Sequence, residues 1–244
     1  MSDLKNLVRP VVLFDLDGTL LPMDYLTFEK TYFTGLCGAL RDVSPEVLIR
    51  GIWAGVAAMV GNDGSRTNRE VFAEVFSAST NLDYAGREEE FLRYYHTGFQ
   101  KCRDVCTLTD VSGRIIDVLQ KKGYTVAIAT NPLFPQIATY SRLRWLGIDP
   151  ERFPLVTTFE TSCSAKPNPL YYREVCSRLG AVPLDCIMIG NDAQEDGAAA
   201  SVGMEVILVR ECLIDRTEHG ADAFLSVPTL TELLAWAEQI PVLS

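Results

Sequence analysis

A run of four apolar residues that ends abruptly at an acid is the feature that most constrains the fold. Residues 11–14 read Val-Val-Leu-Phe, and Asp-Leu-Asp-Gly-Thr follows directly. A continuous apolar run with β-branched and aromatic members is typical of a strand buried on both faces, as in parallel sheets. Side chains two apart on a strand point the same way, so Asp15 and Asp17 are expected to lie near one another. Gly18 permits the sharp exit from the strand.

Two carboxylates at the end of such a strand suggest a bound cation. In open α/β sheets the ligand crevice lies beyond the carboxyl ends of the strands. Neighbouring carboxylates repel each other unless a cation or a shared proton relieves them. Mg²⁺, which prefers oxygen ligands, is the natural candidate for Asp15 and Asp17.

From about residue 24 to residue 103 the pattern is helical and almost without strand signals. The first helix has apolar residues on one face, at positions 28, 32, 33, 36 and 40. Ser44 followed by proline predicts the start of a second helix, and a capping box at Thr67 predicts the start of a third. A fourth is predicted from about Gly86 to Lys101. Four helices of this kind are expected to form a small bundle.

Strands alternate with helices from residue 104 to the end of the chain. Buried strands are predicted at residues 124–129, 155–159, 186–189, 205–209 and about 222–227. Helices are predicted around residues 115–119, at 134–146, 169–179 and 193–202, and from about 229 to 239. This alternation implies crossover connections and a parallel sheet. We therefore predict an α/β fold with a doubly wound, parallel, Rossmann-like sheet that is interrupted after its first strand by a helical insert.

Three later strand ends also carry polar residues. Thr130 and Asn131 follow the second strand, where a hydroxyl and backbone N–H groups suit a phosphoryl oxygen. Lys166 lies in Ser-Ala-Lys-Pro-Asn-Pro, where the prolines hold it in a rigid turn. Residues 190–196 read Gly-Asn-Asp-Ala-Gln-Glu-Asp after the strand at 186–189.

These four segments, in this order, resemble the four motifs of the haloacid dehalogenase superfamily. The helical insert resembles the cap that follows the first motif in the phosphoglycolate-phosphatase-like members. The motifs cover the α/β part of the chain, which assigns the catalytic core to residues 1–21 and 104–244 and the helical cap to residues 22–103. The insert itself matches only in its place and its helical character.

The resemblance implies a Mg²⁺-dependent phosphatase that works through an aspartyl phosphate. Asp15 would be the nucleophile and Asp17 the general acid and base. Thr130 and Asn131 would bind the phosphoryl group, and Lys166 would neutralise it together with the nucleophile. Because a halide leaves without a proton, the acid at Asp17 favours a phosphate ester over a carbon–halogen bond.

The same resemblance places the cation on Asp15, Asp17 and an acid of the fourth motif. The family pattern is usually Gly-Asp with a further Asp later, whereas here Asn191 follows the glycine. We predict Asp192 as the direct ligand, with Asn191 helping and Asp196 lying behind it. The reverse assignment of Asn191 and Asp192 stays open, and a helix N-cap built from these residues is compatible with either.

Two alternatives to the phosphatase remain open. A phosphomutase of the β-phosphoglucomutase type would carry the same motifs and a helical cap. A non-catalytic binding protein on the same fold is less compatible with Asp15, Asp17, Thr130 and Lys166, since a scaffold needs none of them. The substrate is expected to be a small phosphorylated metabolite, and a monomer and a small homo-oligomer are equally compatible with the sequence.

Composition excludes several other partners and compartments. The 244 residues carry a formal net charge of −10, which argues against nucleic acid or an anionic membrane as the main partner. The most apolar stretch, residues 51–61, is too short to span a membrane. Seven scattered cysteines give an odd count without paired spacing, which favours reduced thiols and a cytoplasmic protein without a signal peptide.

Overall fold

A computed structural model describes residues 8–217 and 219–243. Residues 1–7 of the predicted core segment 1–21 lie outside the described residues. The described chain forms five strands and eight α-helices. The strands are β1 (Val11–Phe14), β2 (Thr125–Ile128), β3 (Cys186–Gly190), β4 (Glu205–Val209) and β5 (Leu225–Val227). The helices are α1 (Tyr25–Ala39), α2 (Pro45–Val60), α3 (Asn68–Thr80), α4 (Tyr84–His96), α5 (Val111–Lys121), α6 (Gln136–Trp145), α7 (Pro169–Leu179) and α8 (Leu230–Gln239).

The strands form one parallel sheet in the order β2-β1-β3-β4-β5. β1 is buried on both faces, as its apolar run predicts. Val12 and Phe14 belong to the core that continues into the cap helices, whereas Val11 and Leu13 face the core under α7. This alternation is the period of two that a strand imposes on its side chains. The predicted α/β class with a doubly wound parallel sheet is confirmed.

Helices α1 to α4 follow the predicted pattern with one exception. Ser44 and Thr67 cap α2 and α3, and Thr67 forms the predicted capping box with Glu70. The predicted helix 86–101 is wrong at its end, because α4 stops at His96 and a 3₁₀ segment, Gly98–Val105, follows. Thr97 leaves helical geometry there, and the tighter turn brings Phe99 into full burial.

Two further predictions of regular structure are wrong. Residues 155–159 form one bridge to β2, between Val156 and Ile128, because the chain turns again at residues 158–162. The predicted helix 193–202 is a turn followed by a 3₁₀ segment, Gly197–Val202. There the carboxylate of Asp192 accepts hydrogen bonds from the backbone N–H groups of residues 194 and 195, as a helix N-cap does, but the backbone that follows makes i→i+3 bonds such as Ala199 N–H to Asp196 O.

The segments that lead into and out of the helical insert lie together. Met23 pairs with Cys106 in an antiparallel bridge, and the N–H of Thr107 donates to the carbonyl of Pro22 at 2.8 Å. This pairing supports the predicted division between residues 21 and 22 and near residue 103, which stays a prediction. Among the described residues no helix has both the length and the apolarity needed to cross a bilayer.

The start of α3 is a second connection between insert and sheet domain. The backbone N–H of Asn68 donates to Ser162 O, and that of Arg69 donates to Phe159 O, both at 2.8 Å. The side-chain amide of Asn68 also donates to Ser164 O at 3.0 Å and to Pro132 O at 3.3 Å. Asn68 is fully buried, so these bonds satisfy polar groups that water cannot reach.

Candidate active site

The polar residues of the four motifs meet at the carboxyl end of β1. In the sheet register Phe14 lies opposite Ile128 on β2 and opposite Ile189 on β3. The pairing continues one residue further, since Asp15 N–H donates to Ile189 O at 2.8 Å and Ala129 N–H donates to Phe14 O at 2.7 Å. Residues that directly follow the three strands therefore lie side by side, where the strand order reverses.

Asp15, Lys166 and Asp196 form a buried charged cluster. Lys166 Nζ donates to Asp15 Oδ1 at 2.9 Å and to Asp196 Oδ1 at 2.6 Å. Burial raises the pKa of Asp15 to about 7, against the opposing attraction of Lys166. Burial acts to lower the pKa of Lys166, but the charges of Asp15 and Asp196 outweigh it and raise that pKa well above its usual value. The ammonium group therefore stays charged, and a proton competes with any cation at Asp15.

Asp196 also fixes the turn that follows β3. Its Oδ2 accepts hydrogen bonds from the backbone N–H groups of Asn191 and Asp192, both at 2.9 Å. Gly190 allows this close approach, because a Cβ at that position would lie 2.0 Å from Asp196 Oδ2. Asp196 thus lies behind the turn and holds both the turn and Lys166 in place.

Asn191 and Asp192 face different partners. Thr19 Oγ1 donates to Asn191 Oδ1 at 2.8 Å and lies 3.3 Å from Asp15 Oδ2, so the Asn191 amide is next to the Asp15 carboxylate. Gly18 adopts a φ of +83°, and a Cβ there would lie 2.4 Å from Asn191 Nδ2. The Asp192 carboxylate instead receives Arg216 Nη1, at 2.8 Å from Oδ1 and 2.7 Å from Oδ2.

Asn131 links the second motif to the third and the fourth. Its Oδ1 accepts the backbone N–H of Lys166 at 3.2 Å, and its Nδ2 donates to Glu195 Oε2 at 2.9 Å. The neighbouring Thr130 is buried, and its carbonyl accepts the hydroxyls of Thr157 at 2.6 Å and Tyr171 at 2.8 Å. These bonds fix the turn in which the Thr130 side chain is presented.

Asp17 is paired with Arg142, a residue that the sequence analysis did not single out. Arg142 Nη1 donates to Asp17 Oδ2, while Nε donates to Ala138 O at 3.2 Å and Nη2 to Thr139 Oγ1 at 3.1 Å. Arg142 is fully buried. The other carboxylate oxygen, Asp17 Oδ1, is buried and has no hydrogen-bond partner among the described residues. Asp17 therefore has one oxygen fixed by Arg142 and one available.

A cavity of about 440 Å³ joins these residues. Its lining includes most of the predicted site residues, namely Asp15, Asp17, Thr130, Asn131, Asn191, Asp192 and Asp196. Lys166 lies behind the cavity wall, in contact with Asp15. The structure therefore brings all the predicted site residues to one place, and the catalytic and binding roles assigned to them stay predictions.

The oxygen atoms at this site suit Mg²⁺, although among the described residues they do not include three or more acidic side chains around one position. Within residues 8–217 and 219–243 no group of three or more His, Cys, Asp and Glu side chains is arranged to hold a metal ion. Mg²⁺ usually keeps several waters and binds through one or two carboxylates, so it does not need such a group. Asp15 and Asp192 offer two carboxylates on one cavity, and Asn191 offers a neutral oxygen beside them.

Sequence reasoning missed Arg142, Arg216, Thr19 and Glu195. Arg142 could have been found from its position on α6, because it lies on the same buried face as Ala138 and Trp145. A buried cation at such a position predicts an acidic partner. Thr19 belongs to the first motif but was given no role. The sequence around Arg216 and Glu195 gives no comparable signal, because their partners are set by the fold.

The sheet topology and the site define a doubly wound α/β protein with a buried carboxylate at the end of its first strand. A family model described as haloacid dehalogenase-like hydrolase matches residues 10–203, and the chain belongs to this family.

Curated relatives of the chain are named as phosphatases. A phosphoglycolate phosphatase of Xylella fastidiosa is 28% identical over 203 residues, which cover 82% of this chain and 80% of that protein. A glyceraldehyde 3-phosphate phosphatase of Methanothermobacter thermautotrophicus is 26% identical over 211 residues, covering 84% and 87%. The predicted superfamily, its phosphoglycolate-phosphatase-like character and an enzyme of the phosphatase kind are confirmed.

Solved structures show the same fold. CbbY from Rhodobacter sphaeroides in complex with phosphate aligns with a TM-score of 0.60 at 18% identity, covering 95% of this chain and all of that one. A phosphatase from Thermococcus onnurineus aligns with a TM-score of 0.56 at 24% identity, covering 95% and 99%. At these identities the likeness concerns the fold alone.

Proposed function

We propose that the protein is a Mg²⁺-dependent phosphatase that hydrolyses a small phosphate monoester through an aspartyl phosphate on Asp15. The observation that carries this proposal is the Asp15 carboxylate, held against Lys166 at 2.9 Å in a cavity that Asp17, Thr130 and Asp192 also line. Both curated relatives described above are named as phosphatases, which supports the same reaction class.

In the first step a carboxylate oxygen of Asp15 attacks phosphorus and the bond from phosphorus to the ester oxygen breaks. Asp17 gives its proton to the departing alkoxide. Arg142 fixes one oxygen of Asp17, which leaves Oδ1 for this proton transfer. Lys166 balances the charge of Asp15, and the Thr130 hydroxyl donates to a phosphoryl oxygen.

In the second step water attacks the phosphorus of the aspartyl phosphate. Asp17, now ionised, takes a proton from that water, the Asp15–phosphorus bond breaks and inorganic phosphate leaves. The side chain of Asp15, the backbone carbonyl of Asp17 and the side chain of Asp192 would hold Mg²⁺. A cation held by these groups would neutralise charge on the phosphoryl oxygens.

Metal removal tests the proposal directly. With a panel of small phosphate esters, we expect release of inorganic phosphate in the presence of Mg²⁺. We expect the rate to fall by at least about a hundredfold in EDTA, since the negative charge on the phosphoryl oxygens is then not neutralised by a cation. The measurement is a phosphate-release assay, with Mg²⁺ added back as the control.

Other outcomes separate the alternatives. Accumulation of an isomeric ester without stoichiometric phosphate would identify a phosphomutase. Activity that is equal in Mg²⁺ and in EDTA would contradict the metal-dependent mechanism. Absence of turnover across the whole panel would favour a binding protein on the same fold.

The ligand assignment between Asn191 and Asp192 has its own test. We expect Asp192→Asn to raise the Mg²⁺ concentration for half-maximal activity by at least about tenfold, because a carboxylate ligand is lost. Arg216→Ala is the matched variant: it removes the cation that occupies the Asp192 carboxylate at 2.7 Å, so the required Mg²⁺ concentration is expected to stay equal or fall. If Asn191→Ala raises that concentration while Asp192→Asn does not, the two residues have exchanged roles.

We also infer a reducing, cytoplasmic setting and a small phosphorylated metabolite as substrate. All seven cysteines are free thiols, including Cys176 and Cys186, whose sulfur atoms lie 3.7 Å apart in a hydrogen bond and not in a disulfide. The net charge of −10 supports a partner other than nucleic acid or an anionic membrane. The predicted monomer or small homo-oligomer stays a prediction.

A further inference from the structure

A second, smaller cavity adjoins the catalytic one on the side of the cap. It measures about 90 Å³, and aromatic rings from the cap helices and from the loop after β2 form much of its wall. We call it the aromatic chamber. Its lining includes Phe28, Tyr32, Phe72, Tyr95, Phe134 and Phe159.

The aromatic chamber is continuous with the site of proton transfer. Asp17, Tyr25, Leu133 and Phe134 line both the aromatic chamber and the catalytic cavity. Asp17 is the residue that would protonate the ester oxygen. An organic group attached to that oxygen has the aromatic chamber directly beside it.

The wall of the aromatic chamber carries carboxylates and no cation among the described residues. Asp17 and the half-buried Glu29 line it, and no Lys, Arg or His is among the described residues of its wall. Arg142 lies close by, 4.5 Å from the centre of the Phe134 ring, but it is fully buried outside the chamber wall and its guanidinium donates to Ala138, Thr139 and Asp17. A carboxylate in the aromatic chamber would lose its water and find no cation to replace it.

The polar atoms deep in the aromatic chamber are neutral. The hydroxyls of Tyr32 and Tyr95 lie 3.0 Å apart and bond to each other. Burial raises the pKa of both tyrosines far above neutral pH, so neither hydroxyl ionises. These groups tolerate a neutral organic group and give no charge for an anionic one.

We propose that the aromatic chamber selects phosphate monoesters whose organic group is uncharged and mostly carbon, and rejects esters that carry a carboxylate, phosphoglycolate included. This inference rests on the proposed phosphatase function and adds the substrate class. An engineered apolar cavity of roughly 150 Å³ binds benzene, so the smaller chamber suits a branched group of about four carbon atoms. Each methylene buried there is expected to raise kcat/KM by about fourfold.

The test compares three esters with the Mg²⁺-loaded enzyme: methyl phosphate, isobutyl phosphate and 2-phosphoglycolate. The last two share a similar size and branching but differ in charge. We expect kcat/KM for isobutyl phosphate to exceed that for phosphoglycolate by about a hundredfold and that for methyl phosphate by at least about tenfold. Phosphoglycolate turned over as well as isobutyl phosphate would overturn the inference and leave the phosphatase intact. No turnover of any ester would remove the proposed function, and this inference with it.

Two changes in the chamber wall localise the effect. Glu29→Lys is expected to raise kcat/KM for phosphoglycolate by about tenfold and to change that for isobutyl phosphate by less than about threefold, with Glu29→Gln as the neutral control.

Val56→Trp, which fills the aromatic chamber, is expected to lower kcat/KM for isobutyl phosphate by at least about tenfold and to leave that for methyl phosphate unchanged. Retained methyl phosphate turnover shows that each variant is folded. Equal effects of Glu29→Lys on both larger esters would contradict the role of charge in this chamber.

Discussion

Asp15→Asn is expected to abolish phosphate release, by on the order of 10⁴-fold or more, while the protein stays folded. An amide nitrogen or oxygen cannot take the place of the attacking carboxylate oxygen. Asparagine has nearly the same shape, and Lys166 keeps its second partner, Asp196, at 2.6 Å. The measurements are a phosphate-release assay with Mg²⁺ and far-ultraviolet circular dichroism.

The same variant is expected to be more stable than the wild type when both are free of metal at pH 8. Burial raises the pKa of Asp15 to about 7, above the ordinary aspartate value of 3.8 that applies to an unfolded chain. Between these two pKa values the folded protein therefore binds more protons at this group than the unfolded chain. The free energy of unfolding falls as pH rises from about 4 to 7, and this fall is the destabilisation due to Asp15. We expect the free energy of unfolding of Asp15→Asn to exceed that of the wild type by roughly 1–3 kcal/mol at pH 8, and by little at pH 5.

Thermal unfolding of both proteins at pH 5 and pH 8, in EDTA, measures this difference. A variant that is less stable than the wild type at pH 8 would show that Asp15 stabilises the fold through Lys166 more than its burial destabilises it. A variant that keeps substantial turnover would contradict Asp15 as the nucleophile.

Lys166→Met is expected to remove activity and also to destabilise the protein by about 3–5 kcal/mol at pH 8. Lys166 is almost wholly buried and contacts two buried carboxylates, at 2.9 and 2.6 Å. Methionine fills similar space but leaves Asp15 and Asp196 without a counter-ion. The free energy of unfolding from urea denaturation, together with kcat/KM, measures both effects.

The exposed Lys30 offers a matched control. Lys30→Met makes the same chemical change on the surface of α1 and is expected to alter stability by less than about 0.5 kcal/mol. The destabilisation of Lys166→Met should shrink at pH 5, because burial raises the pKa of Asp15 to about 7 and this carboxylate then takes up a proton. A loss below 1 kcal/mol at pH 8 would mean that water or another cation reaches the cluster.

The parts of the fold that sequence predicted well are those that local physics determines. The apolar run of β1, the capping box at Thr67 and the Asn-Pro start and glycine stop of α7 each specify a boundary without reference to distant residues. The failures lie where tertiary contacts override local preference. Asp196 is held by Lys166 and by the backbone N–H groups of Asn191 and Asp192, and Phe99 packs in a buried aromatic cluster.

The candidate site follows the same division. Asp15, Asp17, Thr130 and Lys166 stand at strand ends, and the parallel register alone brings such positions together. The two arginines that pair with Asp17 and Asp192 come from residues 125 and 24 positions away in the chain. Helix and strand periodicities relate only residues that are a few positions apart, so these two ion pairs could be identified only from the folded structure.

The two attachments of the helical insert bear on how the ester reaches Asp15. Asn68 and Arg69 form four hydrogen bonds to the sheet domain in addition to the pairing near Met23 and Cys106. A swing of the whole insert would break the four bonds together, at about 0.5–1.5 kcal/mol each. Substrate entry and phosphate exit are therefore expected at the part of the catalytic cavity that Tyr25 and Arg216 line. Rotation of these two side chains would open it while the hydrogen bonds between the insert and the sheet domain stay intact.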